Sequence, residues 1–183
     1  MIVLDALRIA VLVFVTAVLQ VSAAPQLTPT DSTPDLMLIL VVALAVHRGG
    51  ETAAAAGFAG GLLIDSVTGG WMGLSSLLYV VAGWAVGRRA RNDEDVLMGT
   101  AGNAAVPLRS EYGYAVLAAV AVQVGYAVLQ GLLGQGLPLG FTVDHIIVPG
   151  VILTIALALP LLPLLQRLLH SRTRIDTART API

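Results

Sequence analysis

Hydrophobic residues of this chain fall into six long runs, which short polar stretches separate. A helix needs about 20 predominantly apolar residues to cross a bilayer, and most of the runs approach that length. The pattern therefore predicts an all-α polytopic membrane protein with one transmembrane domain at residues 1–169 and a disordered cytoplasmic tail at 170–183. The six predicted helices cover residues 7–24, 35–47, 52–68, 71–87, 112–133 and 145–169.

Three stretches differ from a simple transmembrane run. The first run resembles the core of a signal peptide, but it is long and further runs follow, so we expect an uncleaved helix. The second run is short and starts after Pro34, a residue that the first turn of a helix tolerates well. The connector at 92–111 mixes charged and apolar residues, which leaves a loop and a short interfacial helix both open.

Composition agrees with a lipid environment and argues against an active site. The chain is 57% hydrophobic and only 11% charged, whereas a soluble domain is about a quarter charged. There is no cysteine, so disulfides, thiolate metal sites and cysteine nucleophiles are excluded. The three histidines are scattered, and no metal-binding, nucleophile or phosphate-loop motif occurs. We therefore expect no enzyme activity, no cofactor, no metal and no nucleic-acid binding.

The positions of the charged residues predict an orientation. The ten basic residues are all arginines, and with six crossings and a cytoplasmic N-terminus every one lies on the cytoplasmic side. The opposite side carries Asp31, Asp35, Asp65 and Asp144 and no basic residue. Basic residues near span ends favour the cytoplasmic face, so the pattern predicts that both termini are cytoplasmic.

Small residues predict how the third and fourth helices pack. Gly57, Gly61 and Asp65 follow one another at intervals of four, which places them on one stripe of the third helix. Tyr79 and Gly83 have the same spacing in the fourth helix. Small residues let the backbones of membrane helices approach closely, so we expect these two helices to form an antiparallel hairpin.

Asp65 is the polar member of that stripe, and two interpretations stay open. Its carboxylate could contact a partner or substrate at the outer end of the helix. Alternatively it could stabilise the following turn by accepting amide hydrogen bonds from Gly69 or Gly70. A carboxylate near the membrane interface costs little, so the second interpretation is favoured on physical grounds.

Three polar side chains of the fifth helix share one face. Gln123, Tyr126 and Gln130 are spaced by three and four residues, so they point in one direction. Together with Tyr79 they could line a pocket for a small solute. Hydrogen bonds to neighbouring helices are the more usual use of such residues.

The segment from Pro34 to Arg88 contains a recognisable set of short motifs. Pro34 and Asp35 open the second helix, Gly-Leu-Leu-Ile-Asp at 61–65 closes the third, and Gly73-Leu74 opens the fourth. This combination resembles the rod shape-determining protein MreD family. The matching positions and the packing glycines are the candidates for partner contact or helix packing: Pro34, Asp35, Gly57, Gly61, Asp65, Gly73, Leu74 and Gly83.

The resemblance implies a non-enzymatic component of the bacterial cell-elongation complex, in the cell membrane. Such proteins are taken to bind MreC, a bitopic protein with a large extracytoplasmic part, and to act with MreB and a transpeptidase–glycosyltransferase pair in peptidoglycan synthesis and cell-shape control. The family is also similar in architecture to the substrate-binding subunits of energy-coupling-factor transporters. The alternative is therefore a vitamin- or solute-binding transporter subunit that uses Tyr79, Gln123, Tyr126 and Gln130.

Overall fold

A computed structural model describes residues 2–22, 33–69, 71–101, 108–133 and 148–170. Within these ranges the chain forms six helices and no strands, which confirms the predicted all-α class. Asp31, Asp144 and the predicted tail beyond residue 170 lie outside the described residues. The helices are α1 (Ile2–Ser22), α2 (Leu36–Arg48), α3 (Gly50–Thr68), α4 (Leu74–Ala101), α5 (Leu108–Leu132) and α6 (Val148–His170).

The largest difference from the predicted bounds lies in the connector at 92–111. Helix α4 does not end near residue 87 but continues to Ala101, and α5 already begins at Leu108. The predicted span was based on hydropathy, which reports the solvent that surrounds a segment. A helix that runs past its apolar stretch keeps the same backbone hydrogen bonds while its side chains become polar, so hydropathy misses the extension.

Helix α2 is the centre of the bundle. Its residues from Leu36 to Ala45 are at most 7% exposed, and α1, α3, α4, α5 and α6 all pack against it. Thirteen residues give a helix of about 20 Å, which is shorter than the roughly 30 Å hydrocarbon layer. Neighbouring helices cover every face of α2, so its short length brings no mismatch with lipid.

Helices α3 and α4 form the closely packed antiparallel hairpin that the small residues predicted. Gly57 lies against Tyr79, Gly61 against Ser76, and Gly83 against Ala53. A Cβ added at Gly61 would lie 2.5 Å from the Cα and N atoms of Ser76, so only glycine fits there. The contact is between backbones, as expected for helices that associate through small residues.

The arginines of the described helices and the buried aspartates lie at opposite ends of the bundle. A distance of 3.9 Å between Arg48 Nη1 and Asp5 Oδ2 places the start of α1 beside the end of α2. At the opposite end, the Gln20 side chain near the end of α1 donates to the Pro34 carbonyl (3.0 Å), while Asp35 bonds to Thr154 in the first half of α6. Arginines of the described helices therefore lie towards one end of the bundle, the arginine end, and Asp35 and Asp65 at the other, the acidic end.

Within the described residues, two helices are long and apolar enough to span a membrane, at Asp5–Ser22 and Tyr112–Leu132. The apolar parts of α2 and α6, at Leu36–Arg48 and Pro149–Leu165, are shorter. The prediction of six crossings therefore rests on the sequence pattern, as does the assignment of the arginine end to the cytoplasm.

Candidate functional site

Polar side chains from five segments meet inside the bundle near its acidic end. Most of these side chains are buried although they carry a carboxylate or a hydroxyl group: Asp35 is 8% exposed, Asp65 is 6% exposed and Thr154 is 2% exposed. Buried polar groups are costly unless they are hydrogen-bonded, so each bond here helps to decide how the helices are arranged. We call this group the polar cluster; it consists of Asp35, Asp65, Ser75, Tyr79, Tyr126 and Thr154.

Asp35 links three helices. Its Oδ1 atom accepts hydrogen bonds from the Leu38 amide at 3.0 Å, which caps α2, and from the Tyr79 hydroxyl of α4 at 2.9 Å. Its own amide donates to Thr154 Oγ1 in α6 at 3.0 Å, and the Thr154 hydroxyl donates to the Gly150 carbonyl at 2.8 Å. The Pro-Asp motif therefore fixes the start of the central helix against two of its neighbours.

Asp65 caps a helix to which it does not belong. Its Oδ2 atom accepts hydrogen bonds from the Gly73 amide at 2.8 Å and the Ser75 amide at 3.1 Å. Helix α4 begins at Leu74, so these are amides at its N-terminal end, which lack acceptors within the helix. A negative charge there is also favoured by the helix dipole.

This contact partly corrects the sequence interpretation of Asp65. The carboxylate does stabilise the turn, but the donors that the structure describes are the Gly73 and Ser75 amides and not the Gly69 amide. The Gly69 amide instead bonds the backbone carbonyl of Asp65 at 3.2 Å and closes α3 in a left-handed conformation, while Gly70 lies outside the described residues. The loop geometry that selects the donor was not evident from spacing alone.

The polar face of α5 is directed towards other helices. The Tyr126 hydroxyl hydrogen-bonds the Ser75 hydroxyl of α4. The Gln123 amide lies against α6, since a Cβ added at Gly150 would come within 2.8 Å of Gln123 Nε2. Gln130 is half-buried. Tyr126 thus connects α5 to α4, as the more usual interpretation of the polar residues of α5 expects.

A cavity of about 220 Å³ lies elsewhere, between α4 and α5. Its lining is apolar apart from Arg89 and Tyr114, and none of the four solute-pocket candidates, Tyr79, Gln123, Tyr126 and Gln130, contributes to it. Among the described residues there is also no group of three His, Asp or Glu side chains that could hold a metal ion. The alternative of a solute-binding subunit gains no support from this geometry.

The candidate partner residues lie mostly inside the protein. Pro34, Asp35, Gly57, Gly61, Asp65 and Gly83 are buried, and only Gly73 and Leu74 are half-buried. A buried side chain touches its own fold rather than a partner. These positions therefore organise the helices, and they place the exposed turn between α3 and α4.

Two residues that sequence reasoning passed over belong to the same arrangement. Gln20 in α1 accepts from the Leu36 amide at 2.6 Å through Oε1 and donates to the Pro34 carbonyl. Ser76 donates to the Phe58 carbonyl across the hairpin at 3.1 Å. In the sequence, each of these residues is a polar side chain within an apolar run. Such a side chain needs a hydrogen-bonding partner inside the protein, because lipid offers none, and this is the signal that could have identified it.

A family model described as the rod shape-determining protein MreD matches residues 2–172 of this 183-residue chain. The chain belongs to the MreD family. The match extends well beyond the α2–α4 motifs and includes α1, α5 and α6. Comparison with curated proteins and with solved structures finds no match.

Membership of the MreD family establishes a role in rod shape determination and a location in the membrane. MreD proteins are shape-determining components and not a known enzyme family.

Proposed function

We propose that this MreD-family chain is a multi-pass, non-enzymatic subunit of the cell-elongation complex. It binds an MreC-like bitopic membrane protein and supports peptidoglycan synthesis alongside MreB and a transpeptidase–glycosyltransferase pair. The observation that carries this proposal is the family match across residues 2–172.

The hydrogen bonding of the polar cluster supports a scaffold. A ligand site needs a few polar groups that converge on an accessible pocket. Here the Asp35 and Asp65 carboxylates accept bonds from Leu38, Tyr79, Gly73 and Ser75 within the bundle. One oxygen of each carboxylate is used to fix helices, and both side chains are buried, so recognition of a partner falls to the outer surface.

The turn between α3 and α4 offers such a surface. Trp71 and Met72 are 54% and 71% exposed and directly precede Gly73, which Asp65 holds in place. Val67, near the end of α3, is 68% exposed. Exposed apolar residues on a fixed turn are typical of an interaction site. The turn lies at the acidic end, which the arginine pattern predicts to be extracytoplasmic, on the side of the large part of an MreC-like partner. We infer that this partner contacts Trp71 and Met72.

The test is co-purification in mild detergent of the full chain with the MreC-like protein of the same cell. The turn variant combines Trp71→Ala and Met72→Ala. The control combines Leu77→Ala in α4 and Phe58→Ala in α3, two apolar residues that are each more than half exposed but lie away from the turn. We expect the wild type and the control to retain the partner and the turn variant to bind at least tenfold more weakly.

The outcomes separate the two claims. A wild-type chain that does not retain the MreC-like protein contradicts the proposed function. Equal retention by the turn variant and the wild type contradicts only the assigned surface. In cells, depletion of the chain is expected to round a rod-shaped host, and unchanged rod shape after depletion counts against a role in elongation.

A further inference from the structure

The cavity between α4 and α5 is a groove with a distinctive lining, and we call it the α4–α5 groove. Alanine and valine side chains leave a volume of about 220 Å³ between the two helices. The lining includes Leu78, Ala82, Ala85 and Arg89 from α4, and Tyr114 and Ala118 from α5. It is apolar along its length, with one cationic side chain.

The length of the groove matches one half of a membrane. Leu78 and Arg89 are eleven residues apart on α4, which corresponds to about 16 Å along a helix. The hydrocarbon core of a bilayer is roughly 30 Å thick, so one leaflet contributes about 15 Å. The groove therefore runs about as far as a lipid chain reaches from its headgroup.

The one charged side chain of the groove lining, Arg89, lies at one end of the groove. Arg89 is exposed, and it lies in the half of α4 that belongs to the arginine end. Beside it, the Arg88 guanidinium is 5.3 Å from the centre of the Trp84 ring, and Arg91 is also exposed. An apolar slot that ends at a guanidinium is complementary to a lipid with a phosphate headgroup, because Arg binds phosphate oxygens in a bidentate manner.

Other occupants fit less well. A helix with its side chains is about 10 Å across, which is too wide for a slot between two helices that contact each other. A polar solute would meet an almost entirely apolar wall and lose its hydrogen bonds to water. A single acyl chain needs neither the volume of a helix nor hydrogen-bonding partners.

We propose that the α4–α5 groove binds an anionic phospholipid, with one acyl chain along the groove and the phosphate at Arg89. Anionic lipids are enriched in the cytoplasmic leaflet, and the arginine pattern predicts that Arg89 faces this leaflet. The proposal needs the membrane location of the MreD family but does not depend on binding of an MreC-like partner.

The test uses the full chain purified in a neutral detergent. Retained lipid is counted by native mass spectrometry during titration with phosphatidylglycerol, and separately with phosphatidylcholine that has the same acyl chains. Inorganic phosphate alone is a third probe, read out by the shift in thermal unfolding. Arg89→Gln removes the charge, and Ala85→Leu fills the groove from an exposed position that does not disturb the core.

Matched controls are available on other helices. Arg8→Gln removes an exposed arginine of α1, also at the arginine end, and Ala55→Leu enlarges an exposed alanine of α3. We expect phosphatidylglycerol to bind about fivefold more tightly than phosphatidylcholine, and Arg89→Gln to abolish that preference. Ala85→Leu should weaken binding of both lipids by at least fivefold, while the controls and inorganic phosphate have no effect.

Three results would overturn the proposal. Equal loss of phosphatidylglycerol in Arg89→Gln and Arg8→Gln would indicate a diffuse attraction to the whole arginine end. Unchanged binding to Ala85→Leu would place the lipid elsewhere. Stabilisation by inorganic phosphate as large as that by phosphatidylglycerol would indicate an anion site without an acyl chain. Thermal unfolding of each variant without lipid identifies any variant that misfolds. The two groove variants change different parts of the site, Arg89 at its charged end and Ala85 in its apolar wall, so the test does not depend on one of them alone.

Discussion

Asp65 stabilises the beginning of α4 from the neighbouring helix, because Gly73 has no side chain with which to cap it. An aspartate in the preceding helix can serve here since the α3–α4 turn brings its carboxylate within 2.8 Å of the Gly73 amide. Asp35 has the more usual position and caps its own helix through Leu38. At the scale of residues, the two acidic positions of the family motifs are thus both explained by backbone amides that need an acceptor.

Replacement of Asp65 by alanine is expected to destabilise the protein. Two amides at the start of α4 lose their acceptor in a buried setting, which costs about 2–4 kcal/mol and corresponds to a decrease in Tm of about 4–16 °C. Asp65→Asn keeps an acceptor oxygen and should lose about half as much. Thermal unfolding in detergent measures the effect, with Glu51→Ala at an exposed position of α3 as the control. Equal Tm values for Asp65→Ala and Glu51→Ala would contradict the capping role.

Loss of the Tyr79 hydroxyl should have a smaller effect. In Tyr79→Phe the Asp35 carboxylate keeps its bond from Leu38 but loses the bond between α2 and α4, so we expect a cost of about 1–2 kcal/mol. The matched control is Tyr112→Phe, whose hydroxyl bonds the Leu159 carbonyl at 3.3 Å in an exposed position. The prediction fails if the thermal stability of Tyr112→Phe falls as far as that of Tyr79→Phe.

Helix α2 and the α3–α4 hairpin are stabilised by different kinds of contact. Helix α2 is surrounded by five others, so apolar burial fixes it on every side. The α3–α4 hairpin depends instead on the absence of side chains, because its two backbones are in contact at Gly57 and Gly61. A single added methyl group therefore threatens the hairpin more than it would threaten α5.

Gly61→Ala tests this difference. The new Cβ meets backbone atoms of Ser76 at 2.5 Å, which cannot move as the end of a side chain can, so the helices must separate. We expect a loss of about 3 kcal/mol, at the upper end of the range for overpacking. Gly113→Ala in α5 is the control, since nothing lies within 4 Å of its added Cβ. Thermal unfolding should show Gly113→Ala unchanged or slightly stabilised, and a Gly61→Ala variant as stable as this control would refute the close contact.

The whole molecule has a charge asymmetry that predicts its orientation. Arg8, Arg48 and Arg88 lie towards one end of the described helices, and Asp35 and Asp65 lie at the other. Basic residues near span ends favour the cytoplasmic side, so the α3–α4 turn is expected to face outwards and the α2–α3 junction inwards. The α3–α4 turn and the α2–α3 junction each have an exposed residue, Met72 and Glu51, that can be changed without touching the polar cluster.

The orientation can be tested directly because the chain contains no cysteine. A membrane-impermeant maleimide applied to intact cells should label Met72→Cys in the α3–α4 turn and leave Glu51→Cys at the start of α3 unlabelled. After the cells are permeabilised, both variants should react, which shows that both thiols are accessible to the reagent. Labelling of Glu51→Cys in intact cells would contradict the predicted topology.

The sequence alone determined the helical class, the order of the six described helices and the hairpin of α3 and α4. Each of these follows from local sequence information. The length of an apolar run indicates a helix that lies in lipid, and residues spaced by four lie on one face of a helix. The motifs at Pro34–Asp35 and 61–65 also indicated the family, which the match over residues 2–172 confirms. The end of α4 was missed because hydropathy follows the solvent and not the backbone.

Only the tertiary structure decided what the motif residues do. That Asp65 bonds Gly73 and Ser75, and that Asp35 meets Tyr79 and Thr154, depends on contacts between residues up to 119 positions apart. The α4–α5 groove likewise arises from the distance between two helices, which no single segment encodes. Local spacing fixes the face on which a side chain lies, but the partner on that face is fixed by packing of the whole bundle.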